Sequence, residues 1–258
     1  MRDGRNEITG AEALVRMLEA YGVRHIFGLC GDTTLPWYDA LARLDHSITH
    51  ILTRDERHAA YMADGYARVT GRPGICEGPS GGGATYILPG VVEANESSVP
   101  VLAITTDVAT TSVGRYPLTE LDQEALFAPI TKWNATLRDA TRLPAQIRQA
   151  FRAMTTGRPG AVHLALPFDT QKAPLDPAEI WAEARHQTFP AERTAPDPAS
   201  IAAAATRLAA AKRAVLICGG GPLLAGAEAA LLEVAEALDA PVATTVSGQG
   251  VISEAHPL

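Results

Sequence analysis

The feature that most constrains this chain is an alternation. Short apolar runs bounded by glycine are each followed by a longer stretch of helical spacing. Thr9 with Glu12 three residues on has the form of a capping box, ahead of Ala13, Leu14, Met17 and Leu18 and a stop at Gly22. The strand His25–Leu29 follows, closed by a turn at Cys30-Gly31-Asp32, then a helix over Leu35–Leu44 and a strand over Ser47–Leu52. A helix is predicted from about Glu56 to Thr70, a strand at Gly74–Glu77, a helix over Ala84–Ser97 and a strand at Val99–Thr105. Residues 107–121 lack periodicity and read as a loop. Beyond them come a helix near Asp122–Pro129, a strand near Thr131–Leu137, a helix over Leu143–Thr156 and a strand at Gly160–Leu166. Strands separated by single helices mean an α/β fold, a doubly wound parallel sheet with helices on both faces.

From about 168 to 196 the pattern changes to prolines and charges, which predicts a linker, partly helical around Pro177–Arg185. A second unit follows: an alanine-rich helix over Pro198–Lys212, the strand Arg213–Cys218, a turn at Gly219-Gly220-Gly221, a helix over Ala225–Leu238 and a strand at Pro241–Thr245. Two parallel strands cannot cover helices on both faces, so an incomplete second Rossmann-like α/β domain is expected. The organisation is therefore 1–170, a linker at 171–196, and 197–258.

A net charge of −7 and a pI near 5.5 argue against nucleic acid or an anionic membrane surface as partner. At 47% hydrophobic and 20% charged residues the chain is globular. Its first ten residues contain no apolar signal-like run, and no stretch has the length of a membrane span, so a soluble cytoplasmic protein is expected. Cys30, Cys76 and Cys218 lie far apart without a CxxC pair. Buried thiols are expected, with no disulfide framework and no metal site on this chain.

Glycine-rich turns follow three strands, at 28–32, 78–83 and 218–222. Such turns let backbone N–H groups approach a ligand at a helix N-terminus. None fits a dinucleotide fingerprint, and GPSGGG lacks the Lys-Ser/Thr of a P-loop, so tight turns stand beside nucleotide binding as readings. Glu56 opens a helix directly after an apolar strand, at the sheet edge where open α/β folds bind ligands. Spacing alone leaves two readings: an acidic residue stabilised by the helix dipole, or a shielded carboxylate of raised proton affinity. His58 points away from Glu56 on the helix. Asp64 and Arg68 read as a surface i,i+4 pair, and Asp32 as an Asx-turn cap or a substrate-facing acid.

These segments together resemble the N-terminal, pyrimidine-binding domain of thiamin diphosphate enzymes of the acetolactate synthase and pyruvate decarboxylase superfamily. The resemblance is carried by GVRHIFGLCGDTTLPWYDAL at 22–41, RDERHAAYMADGYARVTGRPGICEGPSGGGAT at 54–85, SVPVLAIT at 98–105, APITKW at 128–133 and TTGRPGAVHLALPFD at 155–169. LICGGGPLLAGA and PVATTVSGQGVISEAHPL similarly look like the opening of that family's central domain. The resemblance implies that Glu56 is the catalytic glutamate that hydrogen-bonds the pyrimidine nitrogen of the cofactor. That bond favours the imino tautomer, which removes the thiazolium proton. It also implies that Ser80, Gly81, Gly82 and Thr85 lie along the cofactor, and that Gly31, Asp32, Leu118 and Thr119 lie on the substrate side.

Departures from the family pattern carry information too. Thr119 stands where synthases have a glutamine, preceded by Leu118 where they have an aromatic residue. Asp32 falls where the decarboxylases have a catalytic aspartate, yet residues 105–121 contain no histidine to match their His-His pair, and Tyr86 replaces an asparagine. The family's Gly-Asp-Gly stretch with its following asparagines, which holds Mg2+ and the diphosphate, does not occur. The expectation is the α subunit of a split 2-oxo acid decarboxylase or carboligase. A second subunit would complete the central domain and bring Mg2+, in an α2β2 or larger assembly. FAD in the central domain, as in some relatives, has no support in these residues. The alternatives are a non-catalytic or regulatory homologue acting as an interaction subunit, and a truncated single-chain enzyme.

Overall fold

The computed structural model describes residues 7–258. The stretch 1–6, on which part of the signal-peptide reading falls, lies outside them. Two compact units are present, the first ending at Ala191 and the second starting at Glu192.

In the first unit β1 (Ile8–Thr9) leads into α1 (Gly10–Ala20), whose capping box is formed: Glu12 N–H donates to Thr9 Oγ1 at 3.2 Å and Thr9 N–H to Glu12 Oε2 at 2.8 Å. Then come β2 (His25–Gly28), α2 (Leu35–Arg43), β3 (Thr49–Leu52), α3 (Glu56–Thr70) and β4 (Gly74–Gly78). The predicted helix over 84–97 is two, α4 (Gly82–Tyr86) and α5 (Leu88–Glu96). Pro89 lacks the N–H that would bond to Thr85, which interrupts the ladder. After β5 (Val101–Asp107) come α6 (Gln123–Phe127), β6 (Trp133–Thr136), α7 (Leu143–Thr155) and β7 (Val162–Pro167). The segment expected as a linker opens with α8 (Phe168–Lys172) and β8 (Pro174–Leu175). β8 pairs antiparallel with β1, and Leu175 and His186 are buried.

The sheet is six-stranded and parallel, in the order β3-β2-β4-β5-β7-β6. Alternate side chains face opposite cores, as pleating requires. Ile26, Ile75, Leu102 and Ile104 pack with Trp37, Leu14 and Phe151 beneath α1, α2 and α7. Phe27, Cys76, Val101 and Ala103 pack with the alanines of α3 and with Ile87 and Val91. The chain steps from β2 out to β3 and returns across β2 to β4, which creates a topological switch point between β2 and β4. Open α/β sheets bind ligands at that crevice, beyond the carboxyl ends of the strands.

The second unit contains α9 (Pro198–Ala209), β9 (Leu216–Cys218), α10 (Gly221–Ala225), α11 (Glu228–Leu238) and β10 (Val242–Thr244). β9 and β10 form a parallel pair, and Gly248 packs directly on the Cys218 carbonyl. No helix among the described residues is long and apolar enough to cross a membrane.

Two expectations need correction. Cys76 and Cys218 are buried thiols, but Cys30 is exposed, because the chain leaves the sheet there for the turn after β2. Asp64 is buried, with its Oδ2 held 2.8 Å from Arg68 Nε, whereas Arg68 is exposed, so the acid of this i,i+4 pair is packed inward and only its base lies at the surface.

Candidate active site

Three connections meet at the switch point. They are residues 29–34 after β2, residues 53–56 after β3 and residues 79–82 after β4. Glu56 is the first residue of α3. Asp55 caps that helix by accepting from Arg57 N–H at 2.9 Å, and the adjoining Arg57 guanidinium holds the Asp55 carboxyl well below the usual range. The Glu56 side chain is only 7% exposed and makes no hydrogen bond within the described residues. It lies across two glycines. A Cβ at Gly78 would come 3.3 Å from Glu56 Cγ, and one at Gly83 would come 3.3 Å from Oε1. The Glu56 carboxyl oxygens are not among the fully buried atoms that lack a partner, so they open to the crevice, where a ligand can supply one. That unpartnered acid in a glycine-walled cradle fits the pyrimidine end of thiamin diphosphate, for which a carboxyl and close backbone approach are the two requirements.

The glycine turn itself is held by hydroxyls. Ser80 N–H donates to Thr33 Oγ1 at 3.1 Å, and Thr33 Oγ1 lies 2.7 Å from Thr106 Oγ1. Ser80 Oγ lies 2.7 Å from Thr119 Oγ1. A chain of four hydroxyls, Thr106–Thr33–Ser80–Thr119, thus links β5, the turn after β2, the turn after β4 and the 107–121 loop. Gly81 has φ +65°, and a Cβ on it would fall 2.8 Å from Thr119 Cβ. Thr119 itself sits at φ +75°, unusual for a β-branched residue and therefore a stored strain at this position. Glu120 shapes the loop by accepting from Gly114 N–H and Tyr116 N–H.

The remaining expected residues spread around this centre. Gly31 abuts Pro79, since a Cβ there would lie 2.5 Å from Pro79 Cβ. Asp32 is exposed at the start of a 3-10 turn and makes no side-chain hydrogen bond within the described residues, so it is not an Asx cap. Thr34, which accepts from Gly31 N–H at 2.9 Å, performs that job. Thr85 spends its hydroxyl on the Gly82 carbonyl at 2.8 Å, and Gly82 is exposed at the head of α4. Leu118 is 90% exposed. Sequence reasoning missed Thr33 and Thr106, whose hydroxyls are indistinguishable from ordinary turn and strand threonines until the fold joins them. It also missed Glu77, a charged residue in an apolar strand, which was a readable signal. No group of three or more His, Cys, Asp or Glu side chains among the described residues is arranged to hold a metal.

Residues 8–126 match the family described as thiamine pyrophosphate enzyme, N-terminal TPP binding domain, and residues 201–258 match thiamine pyrophosphate enzyme, central domain. A probable acetolactate synthase large subunit of Methanococcus aeolicus is 42% identical over 257 residues, covering 97% of this chain and 42% of that protein. An acetolactate synthase of Arthrospira platensis is 39% identical over 255 residues, covering 97% of this chain and 44% of that protein. A probable 2-ketoarginine decarboxylase of Pseudomonas aeruginosa is 40% identical over 254 residues, with the same two shares, 97% and 44%. The chain spans less than half the length of these curated relatives. Matched in two successive domains, this chain belongs to the thiamine pyrophosphate enzyme family, of which it carries the N-terminal TPP binding domain and part of the central domain.

Proposed function

We propose that this chain supplies the pyrimidine-binding half of a thiamin diphosphate- and Mg2+-dependent 2-oxo acid decarboxylase or carboligase, with Glu56 as the residue that activates the cofactor. The observation that carries this reading is Glu56: a residue almost wholly covered, whose carboxyl makes no hydrogen bond, opens to the crevice at the switch point and is walled by Gly78 and Gly83. When bound, thiamin diphosphate would supply the electron sink that decarboxylation of a 2-oxo acid needs. Glu56 holds a proton against the pyrimidine ring nitrogen, and its carboxyl has no competing partner in the chain to divert it. Ser80, Gly81, Gly82 and Thr85, in the Ser80–Thr85 turn, would hold the same ring. The hydroxyl chain fixes that turn against Thr119, so the cofactor side and the substrate side are in register. Gly31, Asp32, Leu118 and Thr119 face the substrate, with Asp32 free to meet it.

In this reading residues 1–170 are the pyrimidine-binding domain, 171–196 the linker and 197–258 the N-terminal part of the central domain. Mg2+ and the diphosphate are held by polypeptide outside these residues. We assign that polypeptide to a second subunit in an α2β2 or larger assembly in the cytoplasm. Leu52, Tyr61, Met62 and Tyr86 support a covering neighbour: all are exposed on the elements that flank Glu56.

The test is co-expression with candidate partner chains, followed by an assay of 2-oxo acids for CO2 release and for condensation with a second carbonyl compound. Cofactor- and Mg2+-dependent turnover by a co-purified complex is expected. Turnover by an assembly of this chain with no second chain would overturn the two-subunit assignment, and cofactor-independent behaviour of every assembly would overturn the enzymatic one.

A further inference from the structure

Glu77 is the one charged side chain in β4, and it is completely buried. Its Oε1 accepts from Tyr38 Oη at 2.5 Å and lies 3.1 Å from His50 Nε2, while Tyr38 Oη and His50 Nε2 are themselves 3.0 Å apart. The triangle joins β4, α2 and β3. Glu77 Oε2 is equally buried and has no hydrogen-bond partner. The side chain lies flat on β2, because a Cβ at Gly28 would fall 1.9 Å from Oε1. Glycine is required there to let the carboxyl in.

The hydrogen-bond pattern tells which protonation state fits. The Tyr38 hydroxyl and His50 Nε2 converge on one oxygen and neither reaches the other. In a carboxylic acid the first oxygen is the carbonyl acceptor and the second a hydroxyl, which is unpaired but neutral and so less costly to bury than a charged oxygen. In a carboxylate, half the charge would sit on a buried oxygen with nothing to meet it. The groups facing Glu77 agree. Tyr38 comes from α2, His50 from β3 and Glu56 from the start of α3, while Cys30, in the turn after β2, acts on Tyr38. Cys76 adjoins Glu77 on its own strand, and β5 presents Ile104 as its register partner. Only His50, partly open to solvent, could carry a positive charge, while Glu56 opposes a second negative one. Burial pushes the Glu77 carboxyl above its ordinary value despite the hydrogen bonds from His50 and Tyr38, and burial and Glu77 together push the Tyr38 hydroxyl up as well.

We propose that Glu77 is a positioning residue that acts as a neutral acid, clasping Tyr38 and His50 so that the β2–α2 connection bearing Gly31 and Asp32 stays fixed against the β4–α4 turn bearing Ser80 and Gly81. Tyr38 lies one turn into the helix that follows Asp32, and Glu77 lies three residues before Ser80, so this contact sets the spacing of two walls of the crevice. That those walls form a cofactor site rests on the reading above, whereas the clasp itself does not. Its pH dependence has a definite sign. A carboxyl whose proton affinity is raised by folding contributes stability that is complete below its ordinary titration range and is lost as pH rises through the raised one.

The test uses the 258-residue chain without cofactor, so its failure is separate from failure of the enzymatic reading. Infrared difference spectra of wild type, Glu77→Gln, Glu77→Leu and Tyr38→Phe are compared with thermal midpoints between about pH 5 and about pH 9. Wild type should show a protonated-carboxyl C=O band near neutral pH that is missing in Glu77→Gln and shifted in Tyr38→Phe. Glu77→Gln, which copies the acid's donor and acceptor, should melt close to wild type at the acid end and gain on it as pH rises. Glu77→Leu should melt below both throughout. Amide hydrogen exchange at 31–34 and at 80–85 should speed several-fold together in Tyr38→Phe, which a loss confined to helix packing would not produce. If no Glu77-dependent acid band exists, or Glu77→Gln is as damaging as Glu77→Leu, Glu77 is the anionic partner of His50 and the proposal falls. Should Glu77→Gln fail to fold, an unshifted band in Tyr38→Phe or unchanged exchange at both connections overturns it.

Discussion

Gly82 and Gly83 are adjacent in the first turn of α4, and the structure assigns them opposite responses to the same substitution. A methyl group at Gly83 would sit 2.5 Å from Pro79 Cδ, 2.7 Å from Pro79 Cγ and 3.3 Å from Glu56 Oε1. The pyrrolidine ring is stiff and jammed against Gly31, so it cannot turn aside. At Gly82 the nearest atom would be Tyr86 Cε2 at 3.9 Å, which is ordinary contact. Replacing glycine by alanine inside a helix favours the fold by about 0.5–1 kcal/mol. Overpacking a filled site costs about 1–3 kcal/mol. Gly82→Ala therefore gains about 0.5–1 kcal/mol, whereas Gly83→Ala nets a loss of up to about 2.5 kcal/mol. For a domain of this size each kcal/mol moves the melting point by about 2–4 °C. Thermal denaturation of both variants reads this directly. In the assembled enzyme, Gly83→Ala should also weaken cofactor binding, because its methyl group pushes on the Glu56 carboxyl. If Gly83→Ala melts at or above wild type, the turn is looser than its contacts state and the cradle argument fails.

His163 stacks on Phe127 with ring centroids 3.6 Å apart, bonds to Thr105 and is fully buried, which pushes its pKa down to about 3. Its ring resonances should not titrate between about pH 5 and about pH 8. Since the unfolded chain binds that proton with an ordinary histidine affinity, its contribution to stability is present above about pH 6.5 and is lost as pH falls towards 3, by up to about 1.4 kcal/mol per pH unit. Urea titrations of wild type and of His163→Phe across that range check the difference in slope. Lys132 Nζ donates to the carbonyls of Ala153, Thr156 and Arg158, closing the C-terminal end of α7. Lys132→Met should cost about 1–2 kcal/mol, measured as a fall in melting point, and a variant as stable as wild type would show that solvent replaces the cap.

Much of the fold was legible because its signals are local. The Thr9–Glu12 box, the glycine stop at Gly71 with φ +67° and the apolar strands are written in neighbouring residues. The strand order was not, because nothing between β3 and β4 states that the chain returns across β2. The site divides in the same way. Glu56 stood out by its place after an apolar strand, but its burial and its glycine walls belong to a turn about two dozen residues away. The hydroxyl chain from Thr106 to Thr119 gathers threonines and a serine from three connections and a strand, each unremarkable in its own neighbourhood. Of the two readings open for Asp32 the cap falls away, because Thr34, two residues on, secures this 3-10 turn by accepting from Gly31 N–H, which spacing does not reveal.

The central claim is that Glu56 is a buried acid kept unpartnered for a cofactor. Glu56→Gln tests it most directly, because the amide preserves the shape while removing the proton-sharing carboxyl. In the assembled enzyme with thiamin diphosphate and Mg2+, turnover should fall by about 10²- to 10⁴-fold, the worth of a positioned acid–base group. The chain carrying Glu56→Gln should meanwhile melt within about 0.5 kcal/mol of wild type, since no hydrogen bond to Glu56 is lost. Wild-type turnover in that variant would contradict the account.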